Sequence, residues 1–342
     1  MSGGLLRRPA VPAPARIRRD VNNLSPSDPI ITFYRQAIGV MKGRPLRDPT
    51  SWRYQAAIHD YPRDVSSTAS RRNDPRNPDP FATDADFPLP GDRDTFWRKC
   101  EHAGWFFLSW HRMYLHHFEK IVMSIVAALP GGPTDWALPY WNYSTSAAAA
   151  LLPAPFRNET MPDGTPNLLR VAERTPNANA GAAFLDAADT NLNCLRARPF
   201  GVPFATPLPP SFGGGTRLNH PPGPGGALEQ TPHNQIHSRL GGPTGFMGGF
   251  STAPLDPMFW LHHCNIDRLW EAWVQRQKQQ GNLDRNPKPG TPVADGWLDQ
   301  AFDFHDATGA AVRMTSREVL NTRVPPLSYE YEDTSDPFGG AP

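Results

Sequence analysis

The chain is poor in cysteine, has no long apolar run and carries almost no charge imbalance over its 342 residues. Three thiols, Cys100, Cys194 and Cys264, are too few for a disulfide framework and are expected in reduced form. No stretch of about 18 apolar residues occurs, so no membrane-spanning helix is expected. A formal net charge of +1, from 34 basic and 33 acidic residues, gives neither nucleic acid nor an anionic membrane an electrostatic footprint. After Arg7-Arg8, Pro and Arg residues interrupt what would be the apolar core of an export signal, and the chain reads as cytoplasmic or as one without its export signal.

Aromatic and loop-forming residues are plentiful instead. Ten Trp and 18 Phe can fill a sizeable core, while 40 Pro and 28 Gly demand long irregular connections. The whole chain, 1–342, reads as one domain with a loose N-terminal tail over 1–17 and a C-terminal tail over 332–342. Ser27-Asp28-Pro29 puts a capping side chain before a proline and predicts a helix to about Lys42, stopped by Gly43. A short helix over about 50–58 leads into His59, and residues 61–95 read as a long loop. Phe107, His111, Leu115, Phe118, Val122, Ile125 and Leu129 recur at spacings of three and four, which predicts a helix from about Trp105 to Leu129. Residues 150–228 read as loops and short turns. Further helices are predicted from Thr231-Pro232 to Gly241 and from Asp256-Pro257 to about Lys278, with short strands and turns after Gly290. The expected fold is mainly α: a four-helix bundle with a dinuclear metal centre in its core, surrounded by long irregular loops and a few short strands.

Six histidines fall on or beside these helices in two groups of three: His59, His102 and His111, then His233, His237 and His263. His233 and His237 are four apart, which brings both imidazoles to one helical face at a separation that suits one metal ion. Zinc proteases place a Glu directly after the first histidine of such a pair, whereas this chain has Asn234. Asp267, one turn after His263, is positioned to orient a side chain. Phe107 precedes His111 by four residues and Phe259 precedes His263 by four, so each pair should stack on one face. Three imidazoles with an open position make a reactive site, and two such sites could hold a small molecule such as O2 between two metals.

The stretch from His102 through Trp110-His111-Arg112, Leu115 and Glu119 resembles the first copper signature of tyrosinases, catechol oxidases and molluscan haemocyanins. Asp256-Pro257-x-Phe259-Trp260-x-x-His263-x-x-x-Asp267 resembles the second, and Glu229-x-x-Pro232-His233-Asn234-x-x-His237 the segment that precedes it. Tyr329-x-Tyr331 resembles the motif that closes the family's core, with Arg18 or Arg19 as the arginine packed near it. The resemblance implies two copper ions, the first on His59, His102 and His111, the second on His233, His237 and His263. His262 matches a position that is not a ligand; His116, His117, His220 and His305 match none and are read as solvated or peripheral to the site. Cys100-x-His102 resembles the fungal-type pair joined by a thioether. Glu229 and Asn234 match the pair that holds a water and draws the phenol proton, although Glu229 also suits a helix cap. Phe250 matches a bulky gate over the first copper, or else fills the core, and Ser238 matches a pocket-rim position.

The ligand set itself favours copper. Six imidazoles without a carboxylate disfavour di-iron, and the affinity order puts copper ahead of zinc at nitrogen. The implied activity is a type-3 copper oxidase that uses O2 to ortho-hydroxylate monophenols and to oxidise o-diphenols to o-quinones, with small phenols as partners. A catechol or o-aminophenol oxidase, a haemocyanin-like O2 carrier and a zinc hydrolase on His233, His237 and His263 are the alternatives. The chain ends near Tyr331, so no C-terminal lid domain is expected, although the ending equally fits a longer latent precursor from which such a lid has been cut away.

Overall fold

The computed structural model describes residues 16–61, 86–161, 164–202, 210–215, 217–219, 225–281 and 292–338. Two proline-led helices form where their caps put them. In α1 (Pro29–Gly43) the Asp28 carboxylate accepts from the Ile30 N–H at 2.9 Å, and the proline occupies the first turn, where an N–H is not needed. In α6 (Pro257–Gln279) Asp256 accepts from the Met258 N–H at 2.9 Å. Arg174 holds the same carboxylate with two bonds of 2.6 Å, and both side chains are fully buried. Between them lie α2 (Trp52–His59), capped by Ser51, α3 (Pro90–Phe96), α4 (Phe107–Ala128) and α5 (Asn234–Gly241). Helix α7 (Pro292–Asp299) follows α6.

Helix α1 packs on α2 and α4, and α4 packs on α6. The α4–α6 seam is aromatic: Phe118 and Trp260 stack face to face with centroids 3.4 Å apart, and Tyr114 meets the same indole at 4.8 Å. Every residue from Pro257 to Trp270 is buried, so the first part of α6 is a central helix surrounded on all sides.

Four strands complete the described fold. Strands β2 (Ala301–His305) and β3 (Ala311–Thr315) form an antiparallel hairpin with Phe302 opposite Met314 and Phe304 opposite Val312. Strand β1 (Arg16–Arg18) pairs in parallel with β4 (Tyr329–Tyr331), with Arg18 opposite Tyr331.

Several boundaries differ from the sequence reading. Arg16 and Ile17, expected in the loose tail, belong to β1. Helix α3 occupies residues assigned to a loop, whose remainder over 62–85 lies outside the described residues, and α7 precedes the expected strands. Helix α5 opens at Asn234, because Thr231 is extended (φ −149°, ψ 125°) and a wide turn spans Glu229–His233. A residue before proline is pushed out of the helical region by the proline ring. The C-terminal tail is docked: Asp336 pairs with Arg276, and the Phe338 ring lies 4.2 Å under the Arg196 guanidinium.

A buried ionic knot ties β1 and β4 to the bundle. Arg18 is fully buried and donates to Glu119 at 3.1 and 3.0 Å and to the Tyr331 hydroxyl at 2.8 Å. The Tyr329 and Tyr331 hydroxyls donate to Asp267 Oδ2 at 2.6 and 2.5 Å, and Asp267 also pairs with Arg112. The guanidinium of Arg18 lies 3.6 Å over the Tyr329 ring. Arg19 faces outward and pairs with Glu332, so the arginine that meets the tyrosine pair is Arg18. Burial works to raise the Glu119 carboxyl, but Arg18 and Arg16 outweigh it and hold it at about 2.

Glu119→Gln should therefore leave the buried Arg18 guanidinium with only the more distant Asp267 as counter-charge and cost about 3–5 kcal/mol in urea unfolding at pH 7. A folded-state value below the ordinary 4.5 stabilises above pH 4.5, and that stabilisation is lost as pH falls towards about 2. The gap between wild type and variant should shrink over the same window; a gap constant from pH 7 to pH 2.5 would contradict the assignment.

Candidate metal centre

His59 is the last residue of α2 and His111 lies in the first turns of α4. The backbone N–H groups of Arg98, Lys99 and Cys100 donate to the carbonyls of Ala57, Ile58 and His59 at 3.0, 2.9 and 3.2 Å. That short ladder carries Cys100 and His102 to the end of α2. The three rings of this first group have centroids 5.3–5.8 Å apart. His237 lies on α5, His233 just before it and His263 on α6. Their centroids are 4.6, 5.0 and 5.5 Å apart. The groups adjoin: His111 and His263 stack at 4.4 Å with planes 13° apart. Phe107 meets His111 at 4.9 Å and Phe259 meets His263 at 4.2 Å, as their spacing predicts. Phe259 also touches His59 and His237, so it forms a wall common to both groups.

The hydrogen bonds around these rings decide which nitrogen is free. His59 Nδ1 is 2.8 Å from the Phe250 carbonyl, His111 Nδ1 2.7 Å from the Phe107 carbonyl, and His237 Nδ1 2.8 Å from the Met247 carbonyl. A carbonyl can only accept, so in each ring Nδ1 carries the proton and Nε2 presents a lone pair. His233 Nδ1 meets Asn234 Oδ1 at 2.9 Å with the same result. The Nε2 atoms of His59 and His233 are buried without a partner, and those of His237 and His263 approach to 3.3 Å. Lone pairs that converge in a buried space call for a cation. Burial keeps the rings in the neutral, ligating form: it pushes His59 down to about 3 and His237 to about 4, and carries His111, His233 and His263 well below 6.5. The donor set therefore fits two nitrogen-liganded metal ions. His59, Cys100, His102 and His111 bring ligand atoms within 4.8 Å of one another, and His233, His237, His262 and His263 do the same.

Around this core the other expected residues divide. Cys100 is a half-buried free thiol whose Sγ lies 3.2 Å from His102 Nδ1 and 3.4 Å from His111 Nε2. Phe250 is 62% exposed, which excludes a core role, and its ring stacks on His59 and meets His102 edge-on at 5.1 Å. Asn234 lines a cavity of about 70 Å³ with His59, His102, His233, His237 and Phe250. A wider cleft of about 660 Å³ shares His59, His102 and Phe250 with it and is lined also by Arg98, Lys99 and Cys100. Glu229 is buried with both carboxylate oxygens 2.9 Å from the Ala103 N–H. That bond holds Ala103 at φ 56°, a left-handed conformation costly for alanine, and so fixes the turn after His102. Burial raises the Glu229 carboxyl to about 7 against the pull of the Ala103 N–H. Ser238 is exposed beside His237, and its neighbour Arg239 is held by Asp189 at 3.0 Å.

Two expectations are corrected. Asp267 orients no histidine, because two arginines and two tyrosines engage its oxygens in the ionic knot. His116, His117 and His305 are buried rather than solvated and lie among aromatic rings: His117 on Phe304, His305 on Phe96 and Tyr54. His220 lies outside the described residues. The Phe250 and Met247 carbonyls that fix His59 and His237 have no counterpart in the sequence reading, since a backbone acceptor leaves no mark on residue type.

The profile of the common central domain of tyrosinase matches residues 49–202 and 154–276, and that of the polyphenol oxidase middle domain matches residues 294–339. Tyrosinase HcTyr1 of Hahella sp. (strain CCB-MM4) is 36% identical over 336 residues, which cover 92% of this chain and 63% of that protein. Chloroplastic polyphenol oxidase of Spinacia oleracea is 26% identical over 343 residues, 94% of this chain and 48% of its own length. The chain thus spans about half to under two thirds of these relatives. Among solved structures, latent apple tyrosinase (MdPPO1) superposes with a TM-score of 0.65 at 24% identity, covering 96% of this chain and 65% of that one. Tyrosinase from Burkholderia thailandensis gives 0.60 at 19%, covering 96% and 76%. These likenesses establish the fold. With its profile matches across residues 49–276 and two histidine groups in the bundle, the chain belongs to the tyrosinase and polyphenol oxidase family of dicopper proteins.

Proposed function

We propose that this chain is a phenol oxidase that uses two copper ions and O2 to hydroxylate monophenols at the ortho position and to oxidise o-diphenols to o-quinones. The observation that carries the reading is the set of Nδ1-anchored histidines whose Nε2 lone pairs converge in two adjoining groups. His59, His102 and His111 would hold the first ion, and His233, His237 and His263 the second. When bound as Cu(I), the pair supplies the two electrons that prepare O2 to attack a phenol ring. The protein's own residues do the rest. Phe250 roofs His59 and His102 and limits how a ring approaches the first ion. Asn234 spends its carbonyl oxygen on His233 and keeps its amide nitrogen to orient a water in the small cavity. Glu229 is the proton acceptor for the incoming phenol, with a carboxyl near 7 that can change charge under working conditions. Ser238, small and uncharged, offers no clamp for a substrate carboxylate, and Arg239 is engaged elsewhere, which suits neutral or amine-bearing phenols.

Cys100 and His102 would form a thioether, fixing the His102 ring. The C–S bond replaces the thiol hydrogen and one ring hydrogen, and two electrons and two protons pass to O2. A narrower reading, oxidation of o-diphenols alone, draws on the two bonds that tie Glu229 to the Ala103 N–H rather than to the cavity.

Oxygen uptake by the copper-loaded protein with tyramine, and no catechol added, separates the two readings. Uptake with quinone colour is the expected result; no uptake in a sample of confirmed copper content would leave diphenol oxidation only.

The pH profile follows from Glu229. Its accepting form, the carboxylate, predominates above about 7, so monophenol turnover should rise as pH passes upward through that value. Glu229→Gln should remove this limb and lower the rate about 10²–10⁴-fold, the range for loss of a general base. A variant that keeps both the limb and the rate would exclude Glu229 from the proton transfer.

Tryptic mapping after copper loading in air should find the Cys100 and His102 peptide two mass units lighter and closed to alkylation. Quantitative alkylation of Cys100 would rule out the thioether.

A further inference from the structure

His262 shares the second histidine group but has no role in the reading above. It is fully buried, and neither ring nitrogen has a hydrogen-bond partner. Among the described residues no other histidine has both nitrogens orphaned. A buried polar group left unpaired costs about 1–3 kcal/mol, and an apolar side chain of the same size would avoid that cost. A position that retains such a group calls for a reason outside the packing of the metal-free protein.

The surroundings supply one. The His262 ring stacks on His233 at 5.4 Å and meets His237 and His263 at 5.1 and 5.2 Å. Its remaining ring neighbour is Tyr143 at 5.7 Å. His263 stacks on His111 of the first group, whereas the ring contacts of His262 stay within the second group and Tyr143. Ligand nitrogens of His233, His237, His262 and His263 all lie within 4.8 Å of one another. Two nitrogens on one ion, each bonded at about 2.0–2.1 Å, stand at most about 4.2 Å apart, so a contraction of no more than about 0.6 Å brings the fourth imidazole into reach.

We propose that His262 is an accessory fourth ligand of the second ion, one that holds the ion as it enters or leaves the set formed by His233, His237 and His263. This rests on the assignment of those three histidines to the second ion. Neither ring nitrogen meets a hydrogen-bond partner, so the ring can present a nitrogen to the metal. Retention of the second ion then depends on four imidazoles rather than three.

The test is the release of copper(I) from the anaerobically loaded full chain into excess bathocuproine, together with thermal melting of the metal-free protein. The variants are His262→Phe and His262→Gln, with His263→Ala marking which release phase belongs to the second site. His262→Phe should raise the melting temperature of the metal-free protein, because it removes two orphaned nitrogens. In both variants the second-site copper should leave about 10–100-fold faster, the scale found when support for a metal site is removed, while the first-site phase is unchanged. Release of both copper equivalents at the wild-type rates in either variant, with melting intact, would overturn the proposal alone. A wild-type chain that holds fewer than two coppers would overturn the six-histidine assignment and this inference with it.

Discussion

The Nδ1–H···O=C hydrogen bond on a buried imidazole is the interaction on which the centre depends. A neutral ring has one donor and one acceptor nitrogen, and a carbonyl partner forces the donor role on the atom it meets. His111 finds its carbonyl at Phe107, one turn earlier on its own helix, so α4 aims that ring by itself. His59 and His237 depend on Phe250 and Met247, in the stretch that follows α5. That stretch must come very close to the helix. A side chain on Gly241 would collide with the backbone of Met247 and Gly248, so glycine there lets the two carbonyls reach their rings. A short connection thus aims one histidine in each group, and the exposed Phe250 ring rides on the same backbone.

Beneath the histidines the bundle is held by charge as well as by rings. Arg18, Glu119, Asp267 and Arg112 are all buried, and each finds several partners. Leu138 N–H and the two tyrosine hydroxyls fill carboxylate lone pairs that would otherwise be empty. Such a knot is stable only when complete, since a buried charge stripped of one partner keeps its whole desolvation cost. Asp267 lies one turn along α6 from His263, so this polar layer and the histidine layer share one helix.

Features written in local chemistry were legible in the sequence. Asp28-Pro29 and Asp256-Pro257 marked the true starts of α1 and α6, because a cap and an N-terminal proline act within four residues. The six histidines stood out by residue type and spacing, and they come together as two groups. What escaped was set by distant partners. Asp267 looked like a support for His263, but Tyr329, Tyr331 and Arg18 lie 62, 64 and 249 residues away and leave no trace near it. His117 and His305 read as peripheral polar residues because nothing local announces that Phe304 covers the first and that Phe96 and Tyr54 cover the second. The late start of α5 was locally encoded by Thr231-Pro232, and there the helix period masked the rule that the residue before proline extends.

The pairing of β1 with β4 joins residues 313 apart, Arg18 and Tyr331. A ribosome adding about 5–20 residues per second needs roughly 16–60 s to travel that distance. For about the last two thirds of that interval Arg18 and Glu119 both exist while the two tyrosines are still unmade. All six histidines exist well before the bond that locks the bundle beneath them. Birth order therefore gives the nascent chain a period in which its metal-binding side chains are complete and its closing clasp is not.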